Sequence, residues 1–147
     1  MRKIIFIFAI FMATTSTPVQ AATQGSCPKW EPLLREYFPK KIVPVMSHIA
    51  YRESRCIPKA IGWNYKPGMS HLNCKPAPAN IYRKCKAVKS YDIGLLQNNS
   101  SWFTVTRTVC KKQDIMKALL NPRCNVKVAA YLYKNGGLGH WKATSGK

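Results

Sequence analysis

Apolar residues recur at helical spacing in two stretches near the start of the chain. Trp30, Leu33, Leu34, Tyr37 and Phe38 follow an i, i+3, i+4, i+7, i+8 rule, so residues 27–38 read as an amphipathic helix. Pro28 suits its first turn, Glu31 and Glu36 lie off the stripe, and Pro39 ends it. A second helix starts near Ile42, with Pro44 in its first turn, and stops before Pro58. Ile42, Val45, Met46, Ile49 and Ala50 make one side of it, and Glu53 is the next position on that side. Ser47, His48, Arg52 and Arg55 point elsewhere on this reading. An acid therefore stands where the pattern asks for a hydrophobe.

From residue 57 to 89 the periodicity fades, and Pro58, Gly62, Pro67, Gly68, Pro76 and Pro78 break the chain. The stretch reads as a long, basic, disulfide-stapled loop. It either walls a cleft or holds short strands that periodicity does not reveal. Trp63, Tyr65 and Tyr82 either line that wall or pack under it. Ile93, Leu95 and Leu96 around Gly94 read as a short apolar strand that brings Asp92 and Gln97 together, or else as an ordinary turn. The last third is helical again. Ile115, Met116, Leu119 and Leu120 form a short helix capped by Asp114. Asn121 caps a longer one with Pro122 in its first position, Val126, Ala129, Ala130 and Tyr133 inward, and Gly136-Gly137 at its end. The fold class expected is α+β, mostly α, with a small β-region, in one domain over residues 22–147.

The N-terminus changes the picture by assigning a compartment. A charged start at Arg2-Lys3, an apolar run from Ile4 to Met12 and small residues at Ala21-Ala22 describe a cleavable signal peptide over 1–21. The run is too short to span a bilayer; an uncleaved anchor is the alternative. Secreted or periplasmic localisation follows. All six cysteines lie beyond the leader, which reads as three disulfides. Among the many pairings the count allows, proximity favours Cys74 with Cys85 and Cys110 with Cys124, leaving Cys27 with Cys56. With no Cys-x-x-Cys and with His48, His71 and His140 scattered, neither a metal site nor a cofactor is expected. Lys and Arg number 24 against five acids, a net charge of +19, of which Arg2 and Lys3 belong to the leader. Such a field draws a secreted protein towards anionic wall polymers or envelope lipids. No nucleic-acid motif accompanies the charge, so no specific nucleic-acid partner is expected. The expected state is a monomer.

Scarcity of acids makes Glu53 the candidate of interest. Burial disfavours a carboxylate's charged form, and an acid still protonated near neutral pH can protonate a leaving group. The plain alternative is a Glu that bends out to water or pairs with an arginine.

Two pieces together resemble a known family. A helix ending Ala-Tyr-Arg-Glu53-Ser, followed by Asp92-Ile-Gly-Leu-Leu-Gln-Asn-Asn-Ser-Ser-Trp102, is similar to the lysozyme superfamily, which includes animal c-type lysozymes and the soluble lytic transglycosylase (SLT) domains. The later Cys124-Asn-Val-Lys-Val-Ala-Ala-Tyr and Gly-Gly-Leu-Gly-His-Trp141 resemble its closing helices. The span from Glu53 to Asp92 is longer than in animal lysozymes, and most cysteine positions differ. The resemblance implies a lysozyme-like fold with its β-region flanking a cleft, and cleavage of the bond between N-acetylmuramic acid and N-acetylglucosamine in peptidoglycan. It implies Glu53 as general acid and Asp92 as an ionised second carboxylate. It also implies Gln97, Asn99, Trp102, Tyr133 and Trp141 as substrate-binding residues. Many SLT enzymes use a single Glu and leave an anhydro product; Asp92 favours hydrolysis. A lysozyme-shaped cation that binds walls or kills without cutting is the non-enzymatic alternative.

Overall fold

In the computed structural model the described residues are 25–73 and 85–145. The proposed leader, Cys74 and Tyr82 lie outside them. Among the described residues there are five α-helices and a small sheet: α1 (Glu31–Arg35), α2 (Val43–Ser54), α3 (Phe103–Cys110), α4 (Ile115–Leu120) and α5 (Pro122–Gly136). The strands are β1 (Ile61–Tyr65), β2 (Val88–Ile93) and β3 (Asn98–Asn99), antiparallel in the order β1-β2-β3. The α+β, mostly helical class expected from the pattern is the one observed. Among the described residues no helix is long and apolar enough to cross a membrane.

The first helical stretch is shorter in α form than its stripe implies. A 3₁₀ turn at Pro28–Trp30 leads into α1, and the chain leaves it by bonds from Tyr37 and Phe38 N–H to Leu34 O. Leu34 and Phe38 are buried, and Trp30, Leu33 and Tyr37 are half-buried against them.

On α2 the buried face is rotated by about one position relative to the sequence reading. Val43, Met46, Ser47, Ile49, Ala50 and Ser54 are buried, whereas Ile42 and Val45 are only partly covered. Ser47, expected to point away, instead faces inward because its Oγ accepts the Cys27 N–H at 2.8 Å. Ser54 Oγ shares its proton between Ala50 O at 2.9 Å and Leu95 O at 2.8 Å. Glu53 thus sits on the margin of the buried face. The helix stops at Arg55, whose left-handed φ of 52° ends the turn.

The 57–89 stretch holds both β1 and the start of β2, so its strand alternative is the correct one. The apolar Leu95-Leu96 pair is in a turn between β2 and β3, not in a strand. That turn is tight: Gly94 has φ 81° and Gln97 φ 45°. A Cβ on Gly94 would meet Leu119 O and the Asn125 side chain, so glycine is needed for both its conformation and its close approach.

In the C-terminal third the caps are where the sequence puts them. Asp114 accepts from Lys117 N, and Asn121 Oδ1 accepts from Arg123 and Cys124 N. Val126 and Ala129 are buried as expected, Ala130 and Tyr133 are half-buried, and Asn125, Val128 and Leu132 join the core. Helix α3 was not expected, because Thr104, Val105, Thr106, Thr108 and Val109 are β-branched and weak helix formers. Packing against α4 and α5 overrides that preference. Cys27–Cys56 and Cys110–Cys124 are bonded, each with Cα atoms 5.6 Å apart, and Cys85 is also in a disulfide.

Candidate active site

The sheet presents a polar face built around Asp92. Cross-strand register sets Asp92 opposite Gly62 on β1 and Asn99 on β3, and Ser90 opposite Asn64. Side chains two apart on a strand share a face. Asn64 and Asn99 therefore reach Asp92 from opposite sides. Asn64 Nδ2 donates to Asp92 Oδ2 and Asn99 Nδ2 to Asp92 Oδ1, each at 2.7 Å. The same two amides lie 3.2 and 3.1 Å from Ser90 Oγ. Both carboxylate oxygens are thus fixed by donors from flanking strands. Gly62 leaves the space this needs: a Cβ there would lie 3.1 Å from Gln97 Oε1 and 3.5 Å from Asp92 Cβ.

Behind the turn, Asn125 of α5 is fully buried and holds three backbone groups. Its Oδ1 accepts the Leu96 N–H at 2.8 Å, and its Nδ2 donates to Ile93 O at 2.7 Å and Leu119 O at 3.0 Å. Asn98, also buried, donates to Asn125 O at 2.8 Å. Helix α5 thereby fixes the hairpin that carries Asp92.

Glu53 stands in the last turn of α2, outside the group of residues that lines the cavity beside Asp92. It is half-buried, and burial pushes its carboxyl above the ordinary value of 4.5. A hydrogen bond from Thr144 opposes that shift, the Asp92 charge adds to it, and Arg52 opposes it more weakly. The Asp92 contribution means that the charge of one carboxylate is felt at the other. The Thr144 bond is short, with Oγ1 2.6 Å from Glu53 Oε1. Thr144 is held by Trp141, whose carbonyl accepts the N–H groups of Thr144 and Ser145 at 3.0 and 2.8 Å. Trp141 is anchored in turn by its indole N–H on Leu96 O at 3.1 Å.

A small cavity of about 100 Å³ opens beside Asp92, lined also by Gln97, Asn98, Asn99, Trp102, Leu132, His140 and Trp141. The sequence-derived residues Asp92, Gln97, Asn99, Trp102 and Trp141 are therefore brought together. Their side chains differ in what they have free. Trp102 is 36 % exposed and meets His140 edge to face at 5.4 Å, which leaves an aromatic surface open to a ligand. Trp141 is buried. Gln97 Nε2 donates to Gly94 O at 2.8 Å and Ala60 O at 3.2 Å, and Asn99 Oδ1 accepts the Ser101 N–H, so both amides are engaged within the protein. Tyr133 is not part of this group; its ring packs edge-on against Phe38 at 5.7 Å. Of the three aromatics assigned to the long loop, Trp63 packs edge-on against Tyr91 at 4.8 Å.

Sequence reasoning missed Asn64, Asn125, His140 and Thr144. Only Asn64 carried a signal, as a polar residue in a stretch whose strand was not seen.

Thr144 provides a test of the electrostatics. Its hydroxyl donates to the Glu53 carboxylate and lowers the pKa that burial raises. Removing it in Thr144→Val raises the Glu53 pKa further, so the acid keeps its proton to higher pH. The alkaline limb of any Glu53-dependent pH–rate profile is expected to move upward in Thr144→Val and to stay in place in Thr144→Ser.

No protein-family model, curated protein or solved structure matches this chain.

Proposed function

We propose that the protein is a secreted or periplasmic peptidoglycan-cleaving glycosidase with a lysozyme-like arrangement, Glu53 serving as general acid and Asp92 as the second carboxylate. The observation that carries this reading is the contrast between the two acids. Glu53 is half-buried with a raised pKa, whereas Asp92 has both oxygens held by the Asn64 and Asn99 amides. Glycoside cleavage passes through an oxocarbenium-like state and uses one protonated and one ionised carboxyl group. Pairs of acids whose surroundings differ in this way divide those roles; lysozyme is the standard instance of the principle. On this reading Glu53 protonates the leaving oxygen, and Asp92 stabilises the cation that develops on the sugar. The exposed Trp102 ring offers a stacking surface for a sugar, and the basic excess draws the protein to an anionic wall.

The decisive measurement is mass spectrometry of fragments released from purified peptidoglycan. Reducing ends are expected, since Asp92 is held in place to support hydrolysis. Anhydro ends, lighter by one water, would instead assign a lytic transglycosylase that uses Glu53 alone. Release of no fragments, with retained wall binding, would leave a non-catalytic cationic binder.

A further inference from the structure

A second cavity, of about 460 Å³, lies where the end of α3, the connection to α4, α4 itself and the first turns of α5 meet. It shares no lining residue with the cavity beside Asp92. Four cations line it, Lys112, Lys117, Arg123 and Lys127, against one acid, Asp114. Cys110 and Cys124 line it too, and their disulfide ties the end of α3 to the start of α5, so the walls are covalently fixed relative to each other.

The cations differ in their surroundings. Arg123 is paired with Glu36, a neighbour outside the lining, and Lys117 Nζ lies 3.9 Å from Asp114 Oδ2. Lys127 Nζ sits 5.8 Å from the centre of the Tyr37 ring. Lys112 makes no ion pair among the described residues. A concave wall focuses the field of the charges around it, and ammonium groups on flexible stems bind phosphate as point charges. The volume falls within the range of small-molecule sites and suits one sugar- or polyol-phosphate unit. The excess of cations over acids in the lining favours an anionic ligand over a neutral one.

We propose that this cavity binds a polyol-phosphate chain, one phosphate held by Lys112 and Lys127, at a place separate from the carboxylates. The site holds the protein on a phosphate-bearing envelope polymer. It does not depend on Glu53 or Asp92, so it stands or falls independently of the glycosidase reading.

The test is a calorimetric titration of the full mature chain with a poly(glycerol phosphate) oligomer at near-physiological salt. Lys112→Glu/Lys127→Glu is compared with Lys40→Glu/Lys41→Glu, an equal change of charge at residues that do not line the cavity. The cavity pair is expected to weaken binding about tenfold or more, and the control pair less than about threefold. The neutral pair Lys112→Gln/Lys127→Gln, a milder change to the fold, is expected to lie between them. Equal losses in the two charge-reversed pairs would mean net charge alone and would overturn the site. Equal affinity for duplex DNA, lost with the same two lysines, would overturn the choice of ligand.

Discussion

Glu53→Gln is expected to abolish clearing of a cell-wall suspension, with the initial rate falling about a thousandfold, within the range that general acid catalysis contributes. The amide keeps the shape of the side chain and can still accept the Thr144 hydroxyl bond, so the variant removes the proton and little else. Turbidity loss under enzyme-limited conditions measures the effect, with the circular dichroism spectrum as a check that the fold is unchanged. Clearing at the wild-type rate would exclude Glu53 as the acid. Bacterial killing that persisted in Glu53→Gln and vanished at high salt would move the activity to the cationic surface.

Asn125→Leu is expected to be the most destabilising single change proposed for this chain, although it touches no candidate catalytic group. Leucine has the branching and the number of side-chain heavy atoms of asparagine but is bulkier and has no polar atoms. It leaves the Leu96 N–H and the Ile93 and Leu119 carbonyls without their partner in the fully buried centre of the protein. A buried polar group left unpaired costs about 1–3 kcal/mol, and relaxation will recover part of the sum, so a loss of about 3 kcal/mol is expected. For a chain of this size that lowers the melting temperature by roughly 10 °C. Asn135→Leu is the control. It lies on the same helix, is exposed, and bonds only Tyr131 O. Its melting temperature should stay within a degree or two of wild type. If the two variants melt together, the Asn125 bonds do not hold the turn. Because the same bonds position the hairpin of Asp92, wall clearing by Asn125→Leu should also fall at temperatures where the variant remains folded.

The elements with strong local signals were the legible ones. Asp114 and Asn121 announce helix starts because their side chains satisfy backbone N–H groups a few residues on, an interaction that needs no distant partner. Gly94 could be read as a bend for the same kind of local reason. The α2 stripe was legible only to within one position. Two of its inward residues, Ser47 and Ser54, are polar, and what makes them acceptable inside is a backbone partner 20 or 41 residues away. Helix α3 was hidden because its β-branched residues argue against the conformation that packing imposes. The strands β1 and β2 were hidden because they pair across a gap of more than twenty residues and alternate weakly, every residue of β1 being only half-buried.

The candidate site divides along the same line. Glu53 was visible because acids are scarce in this chain and it interrupts an apolar stripe, and Asp92 because the stretch it opens resembles a known family's strand. Their supports were not visible. Asn64 holds Asp92 only through strand register, Asn125 holds the turn only from a helix that follows it by nearly thirty residues, and Thr144 meets Glu53 across 91 residues of sequence.

What the sequence determined by itself is where α4 and α5 begin, that Cys110 and Cys124 are close enough to pair, and that Glu53 interrupts an apolar stripe. Those properties depend on spacing along the chain. Which face of α2 is buried, what holds each carboxylate, and where four lysine and arginine side chains gather around a cavity were decided by tertiary structure. Each of these depends on groups that only folding brings within hydrogen-bonding or Coulombic reach.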